Sequence, residues 1–165
     1  MSSWQTIQAT ILNEFSDLIE VEYTTRVSVR LLLAAILGGL LGYERETHGK
    51  AAGLRTHMLV AIGSALFVLV PELSGAEHDA MSRVIQGIIA GIGFLGAGTI
   101  LKGHRETEVL GLTTAAGIWL TAAIGITVGL GQEATAVLGT LLALFVLNFV
   151  PHVIDRLQAR KNPPP

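Results

Sequence analysis

Cysteine is absent from the 165 residues, which removes disulfides, thiolate metal sites and cysteine nucleophiles together. Charge is scarce. Asp, Glu, Lys and Arg supply 15% of the chain and leave a net charge of -2, so nucleic acid, which requires a basic footprint, is not an expected partner. Catalytic constellations are missing too: there is no nucleophile elbow, no H-E-x-x-H, no P-loop and no inward acid pair with a group to tune it. The chain is therefore not expected to be an enzyme or to carry a cofactor. What is abundant is apolar. Half of the residues are hydrophobic, 19 are glycine, and the mean hydropathy is +0.57, a composition that belongs to a membrane protein rather than to a soluble domain.

One stretch offers a soluble reading. GIGFLG, residues 91–96, has the letters of a dinucleotide-binding turn, but that turn works only between a strand and a helix, with an acid about twenty residues on to hold the ribose. Here Val84 to Leu101 carries no charge, and the first acids beyond Gly96 are Glu106 and Glu108. The glycines need another explanation.

Charges fall in blocks, and the intervals between them are long enough to cross about 30 Å of hydrocarbon at about 1.5 Å per residue. Five spans are predicted, Val27 to Tyr43, Leu54 to Val70, Val84 to Leu101, Val109 to Leu130 and Ala134 to Val150. The runs are continuous rather than alternating, so an all-α polytopic membrane fold is expected and a barrel is not. Arg30, Glu44 and Arg45 extend the short first span by snorkelling to the interfaces. Alternate loops carry eight Lys and Arg on one side and three on the other, which predicts a cytoplasmic C-terminus and an N-terminus outside. Residues 1–26 read as an amphipathic interfacial helix, with Trp4, Ile7, Ile11, Phe15 and Leu18 on one face and a capping box from Ser2 and Gln5. Residues 27–150 form the membrane domain, and 151–165 a short basic cytoplasmic tail.

Within the spans, Gly38 and Gly42, Gly87, Gly91 and Gly98, Gly93 and Gly96, and Gly125 and Gly129 give small residues at helical spacing. That spacing lets helix backbones approach closely in lipid; a glycine-lined pore is the other reading. The third span, with small residues around much of its girth, is expected at the centre. An internal repeat accompanies the pattern. A Gly-rich span runs through R-E-T at 45–47 and 105–107 into G-L-x-T at 53–56 and 111–114. This makes two helical hairpins in a parallel repeat, an arrangement known among transporters with sites at the repeat interface.

GYERETHGKAAGLRTHMLV, QGIIAGIGFLGAGTIL and GLTTAAGIWLTAAIG occur in that order, and over roughly residues 27–150 the chain resembles the membrane domain of the MgtC/SapB family. The resemblance implies a bacterial inner-membrane protein of about five spans, linked to magnesium limitation, stress adaptation and survival inside host cells. Members close to MgtC are thought to regulate the F-type ATP synthase, a possible partner here. Those members also have a C-terminal cytoplasmic domain, whereas this chain ends soon after its last span, so the short SapB-like branch is the nearer match. Glu44, Arg45 and Arg55 fall on the family motif, with Thr56 beside them; Arg105, Glu106, Thr113 and Thr114 hold the corresponding repeat positions. The two loops are expected to face each other. Their charges either hold the hairpins together or bind a ligand, while Arg beside a span also serves as an anchor and Thr at a helix start as a cap. His57 reads as an interface residue, and Glu77, His78 and Asp79 as a solvated cluster with the composition of a hydrated Mg²⁺ site. Two functions follow. One is a membrane regulator or interaction protein working through helix contacts, as a homo-oligomer with a dimer favoured. The other is a small oligomeric transporter or channel, for Mg²⁺ or another ion, at the repeat interface.

Overall fold

The computed structural model describes residues 2–14, 20–102 and 109–161. Helix α1 covers Ser3–Glu14 and opens on the expected capping box. Ser2 N–H donates to Gln5 Oε1 at 2.9 Å and Gln5 N–H to Ser2 Oγ at 3.4 Å, which satisfies two amides that a helix start leaves free. Phe15 and Leu18 lie outside the described residues. Then come α2 (Val21–Thr47), α3 (Leu54–Leu73), α4 (His78–Ala97), a two-strand ribbon of β1 (Leu101–Lys102) and β2 (Val109–Leu110), α5 (Leu112–Gly129) and α6 (Glu133–Lys161). The helices α2 to α5, and α6 as far as Ile154, are long and apolar enough to cross a membrane.

The boundaries differ from expectation in two places. Helix α2 starts at Val21, taking over residues assigned to the interfacial segment, and its first turns are supported by a 2.7 Å ion pair from Arg26 to Glu22 one turn earlier. The third span runs from His78 to Ala97 rather than from Val84 to Leu101. It stops early because Gly98 to Ile100 turn back on Phe94, Gly96 and Ala97 through their amides. Leu101 then pairs with Leu110, and Lys102 with Val109, in an antiparallel ribbon. Apolar character alone did not mark this end, since ribbon and helix share it. The ribbon closes on Gly111, at φ +89°, where an added Cβ would collide with the Thr99 carbonyl.

The centre of the bundle is α3, held between α2 and α5. Gly38 and Gly42 of α2 face one side of it: a Cβ on Gly38 would lie 2.7 Å from the His57 carbonyl oxygen, and one on Gly42 2.7 Å from Leu54 Cα. Gly125 and Gly129 of α5 meet α3 further along, against the carbonyls of Ala61 and Ala65. Ala61 and Ala65 are themselves a small-xxx-small pair and are fully buried, so α3 supplies the matching surface for both neighbours. Around them Ala34, Leu37, Leu41, Ile124, Val128, Ala136 and Ala143 complete an apolar core drawn from α2, α3, α5 and α6.

The central position expected for the third span is overturned. Helix α4 lies at the edge, largely exposed, packed mainly along α5. A Cβ on Gly96 would meet Ala115 at an ordinary 3.6 Å, one on Gly98 would meet only its own helix, and Cβ atoms on Gly87, Gly91 or Gly93 would meet nothing within 4 Å. Small residues around a helix permit close packing; they do not compel it, and Gly87 and Gly91 of α4 stay apart from Gly63 and Ser64 of α3 across an open groove.

Candidate functional site

Polar residues gather at the two ends of the bundle. At one end the R-E-T triplet closes α2, and each member has a separate task. Arg45 forks onto Glu44: the carboxylate accepts from Nη2 at 2.6 Å and from Nε, and the two side chains are 4% and 7% exposed. The pair is bidentate, the strong and directional form of the interaction. Glu46 reaches forward, its Oε2 accepting the Leu54 amide at 2.8 Å. Gly53, at the N-cap of α3, has no side chain to satisfy that amide, so the preceding helix supplies the carboxylate, which also complements the positive end of the helix dipole. Thr47 Oγ1 donates back to the Glu44 carbonyl at 2.9 Å, and His48 Nδ1 lies 3.2 Å from Glu44 Oε1. His57 is fully buried beneath this cluster, with Nδ1 3.0 Å from the Gly53 carbonyl.

At the other end Arg30, 7% exposed, joins four helices. Its Nη1 donates to Glu72 Oε2 at the end of α3 and to the Gly129 carbonyl at the end of α5, both at 2.9 Å. Its Nε lies 3.6 Å from Glu133 Oε1 at the start of α6. Gly131, at φ +75°, leaves room for the guanidinium; a Cβ there would strike Nη2. The arginine sits where the C-terminus of α5 offers unpaired carbonyls, and a cation is favoured at such an end. It is a buried knot, not the snorkelling anchor expected of it.

The predicted site residues therefore separate. Glu44 and Arg45 come together as an ion pair. Arg55 and Thr56 are exposed on the first turn of α3 and do not join it; Thr113 is exposed and Thr114 buried on the first turn of α5. Neither start is capped by threonine, since Gly53 and Gly111 hold the cap positions. Arg105 and Glu106 lie outside the described residues, as does most of the loop expected to face ERETHGKAAGLRTH. His57, expected at the interface, is inside. Among the described residues no group of His, Asp and Glu is arranged to hold a metal ion, Glu77, His78 and Asp79 included. Sequence reasoning missed Glu46, Arg30 as a link between helices, and the burial of His57. Only Glu46 left a trace, its place in the repeated R-E-T.

Between the two ends the interior is apolar. Two of the buried hydroxyls there are turned onto their own helices, Thr121 Oγ1 donating to the Gly117 carbonyl at 2.8 Å and Thr140 Oγ1 to that of Ala136 at 2.9 Å. Ser64 packs under Gly125.

The MgtC family profile matches residues 31–156. Protein SrpB of Synechococcus elongatus is 47% identical over 133 residues, 74% of this chain and 73% of that protein. A protein of Escherichia coli strain K12 named Putative magnesium transporter YhiD is 43% identical over 141 residues, 81% of this chain and 65% of its own length. Protein MgtC of Salmonella typhimurium is 43% identical over 116 residues, 70% of this chain; the chain thus matches about half, 48%, of MgtC. No solved structure matches.

Proposed function

Since this chain belongs to the MgtC family, we propose that it is a bacterial inner-membrane regulator that works through helix contacts in adaptation to magnesium limitation. The observation that carries this reading is the apolar interior between the two polar ends. An ion crossing one subunit would pass Ala34, Leu37, Ala61, Ala65, Ile124 and Val128 without a charged ligand, and the buried hydroxyls of Thr121 and Thr140 are committed to their own helices. Intramembrane transport sites instead present inward polar or charged groups. Glu44 and Glu72 are each paired with an arginine, so a cation at either would first have to displace it.

The contact surface in this reading is α4. One exposed stripe offers Gly87 and Gly91 with Phe94, 82% exposed, and small residues at helical spacing are the usual surface for association in lipid. A second copy is the first partner, giving a dimer; the F-type ATP synthase is the heterologous partner implied by resemblance to MgtC. The orientation has the N-terminus outside and the Glu44–Arg45 end cytoplasmic.

The test is made in cells. A photoreactive residue at Phe94 should give adducts with a second copy or a subunit of the ATP synthase, and one at Leu32, exposed on α2, should not. Gly91→Leu should abolish the adducts and fail to restore growth of a deletion strain in low magnesium, while keeping wild-type yield and running in detergent at the size of a folded monomer. Gly96→Leu, pressed against Ala115, should damage the chain itself. Adducts from Leu32 but not from Phe94, or full restoration of growth by Gly91→Leu, would remove α4 from the account.

A further inference from the structure

Ser64 stands in the middle of α3 and is 3% exposed. Unlike Thr121 and Thr140, it has no hydrogen bond for its hydroxyl among the described residues. The unbonded side-chain atoms that are sealed inside the protein are, among those residues, Arg30 Nε and His57 Nε2. The Ser64 Oγ is therefore not sealed; it opens on the groove of about 680 Å³ between α3 and α4 that the residue lines. Gly63, Gly87 and Gly91 border the same groove without a side chain to fill it, and Ser64 is the one polar side chain in its lining. A second unbonded polar group lies at the same depth. Gln86 is exposed on α4 and has no hydrogen bond among the described residues. Leu73 ends α3 nine residues after Ser64, and His78 begins α4 eight residues before Gln86. At about 1.5 Å per residue both groups sit about 12–14 Å from that end of the hairpin, near the middle of about 30 Å of hydrocarbon.

We propose that a second copy packs its α4 against this α4, and that the Gln86 carboxamide of each copy enters the other's groove, where the Ser64 O–H donates to Gln86 Oε1. The pairing rests on the reading of α4 as the contact surface and names what holds it. Helix α4 buries Met81, Ile92 and Gly96. At about 100° per residue, the direction opposite that buried side runs between two exposed stripes. Gln86, Ala90, Gly93 and Ala97 form one flank, and Gly87 and Gly91 with the groove form the other. A two-fold axis along the membrane normal sets one flank of each helix against the opposite flank of its mate, so amide meets groove twice over. Ala90, Gly93 and Ala97 let the backbones approach closely enough for the amide to reach. Arg83, one turn nearer the end of α4, snorkels toward that end and away from the contact. Depth decides the occupant. Lipid ester groups lie at the interfaces, and a lone water needs two to four polar partners, so at the middle of the bilayer a partner for Ser64 comes from another helix. This chain carries both halves of the bond at one depth, which is what pairing of two copies requires and an unrelated helix would meet only by coincidence.

The chain has no cysteine, so Lys50→Cys, exposed beyond the end of α2, carries donor or acceptor dye as a single thiol. Energy transfer between labelled copies is measured in vesicles while the protein is diluted with lipid. Copies with Gln86 and Ser64 intact should pair. Gln86→Leu and Ser64→Ala should each weaken pairing about 10- to 100-fold, because each removes both symmetry-related bonds and one bond of this kind is worth roughly 3- to 10-fold. The double variant should lose no more than either single one, since the same bonds are already gone. Both changes spare the fold, one lying on the surface and the other deleting only a hydroxyl. Pairing of undiminished strength in either single variant, losses that multiply in the double, or no energy transfer between copies that keep both residues would overturn the proposal. Phe94 adducts to a second copy or to another protein would in each case keep α4 as the contact surface, so the two readings fail separately.

Discussion

Arg30 bonds to groups 42 and 99 residues away in the chain, and its removal leaves carboxylates at the ends of α3 and α6 without their cation. Breaking a buried pair from one side costs about 3–5 kcal/mol, and since Glu72 stays 32% exposed the lower end of that range applies. Arg30→Met should therefore lower unfolding stability in detergent by about 3 kcal/mol, whereas Glu133→Gln, at 3.6 Å and 42% exposed, should cost less than about 1 kcal/mol. An unchanged unfolding midpoint for Arg30→Met would dissolve the knot. The glycines divide by the same reasoning. Gly38→Ala forces a methyl to within 2.7 Å of the His57 carbonyl and should cost about 1–3 kcal/mol, the usual penalty of overpacking. Gly87→Ala meets open space and should stay within about 0.5 kcal/mol of wild type. Thermal unfolding followed by size-exclusion chromatography separates the two.

The helix starts show how one element sets the next. The residue that satisfies the first turn of α3 belongs to the last turn of α2, and Gly53 must be small where the Glu46 carboxylate crosses it. Glu46→Ala should cost about 1 kcal/mol, as loss of an N-terminal cap does, and should raise hydrogen exchange at the Leu54 to His57 amides with little change in α5. Uniformly faster exchange across both helices would mean that Glu46 does more than cap. The spans themselves were legible from the sequence because a crossing helix must be continuously apolar for about 20 residues, a pattern that the charge blocks at 44–55 and 72–83 delimit well. The packing order was not. Which of several glycine-bearing helices sits centrally depends on which other helix presents small residues opposite, as Ala61 and Ala65 do, and a single helix's spacing is silent about its neighbour. The site was legible in the same partial way. Glu44 and Arg45 lie together in a motif, while Arg30 and His57 are lone polar residues near span ends, where anchors and buried links look identical until distant contacts are known.

At the scale of the whole molecule, the buried ion pairs lie at the two ends and glycine-mediated packing fills the space between. The Glu44–Arg45 pair, the Glu46 cap and His57 brace one end; Arg30 ties α2, α3, α5 and α6 at the other. Helix α4 remains attached along α5, with Gly87 and Gly91 on an open groove beside α3, which suits a body that presents a surface better than one that encloses a path. The claim that the chain signals through contacts rather than carrying magnesium is tested most directly by ion flux. Purified protein is reconstituted into liposomes loaded with a Mg²⁺-sensitive dye, and uptake is followed over a range of external Mg²⁺ under an imposed membrane potential of either sign. The account predicts uptake indistinguishable from protein-free vesicles at every concentration. Saturable Mg²⁺ uptake that scales with the amount of protein would contradict it.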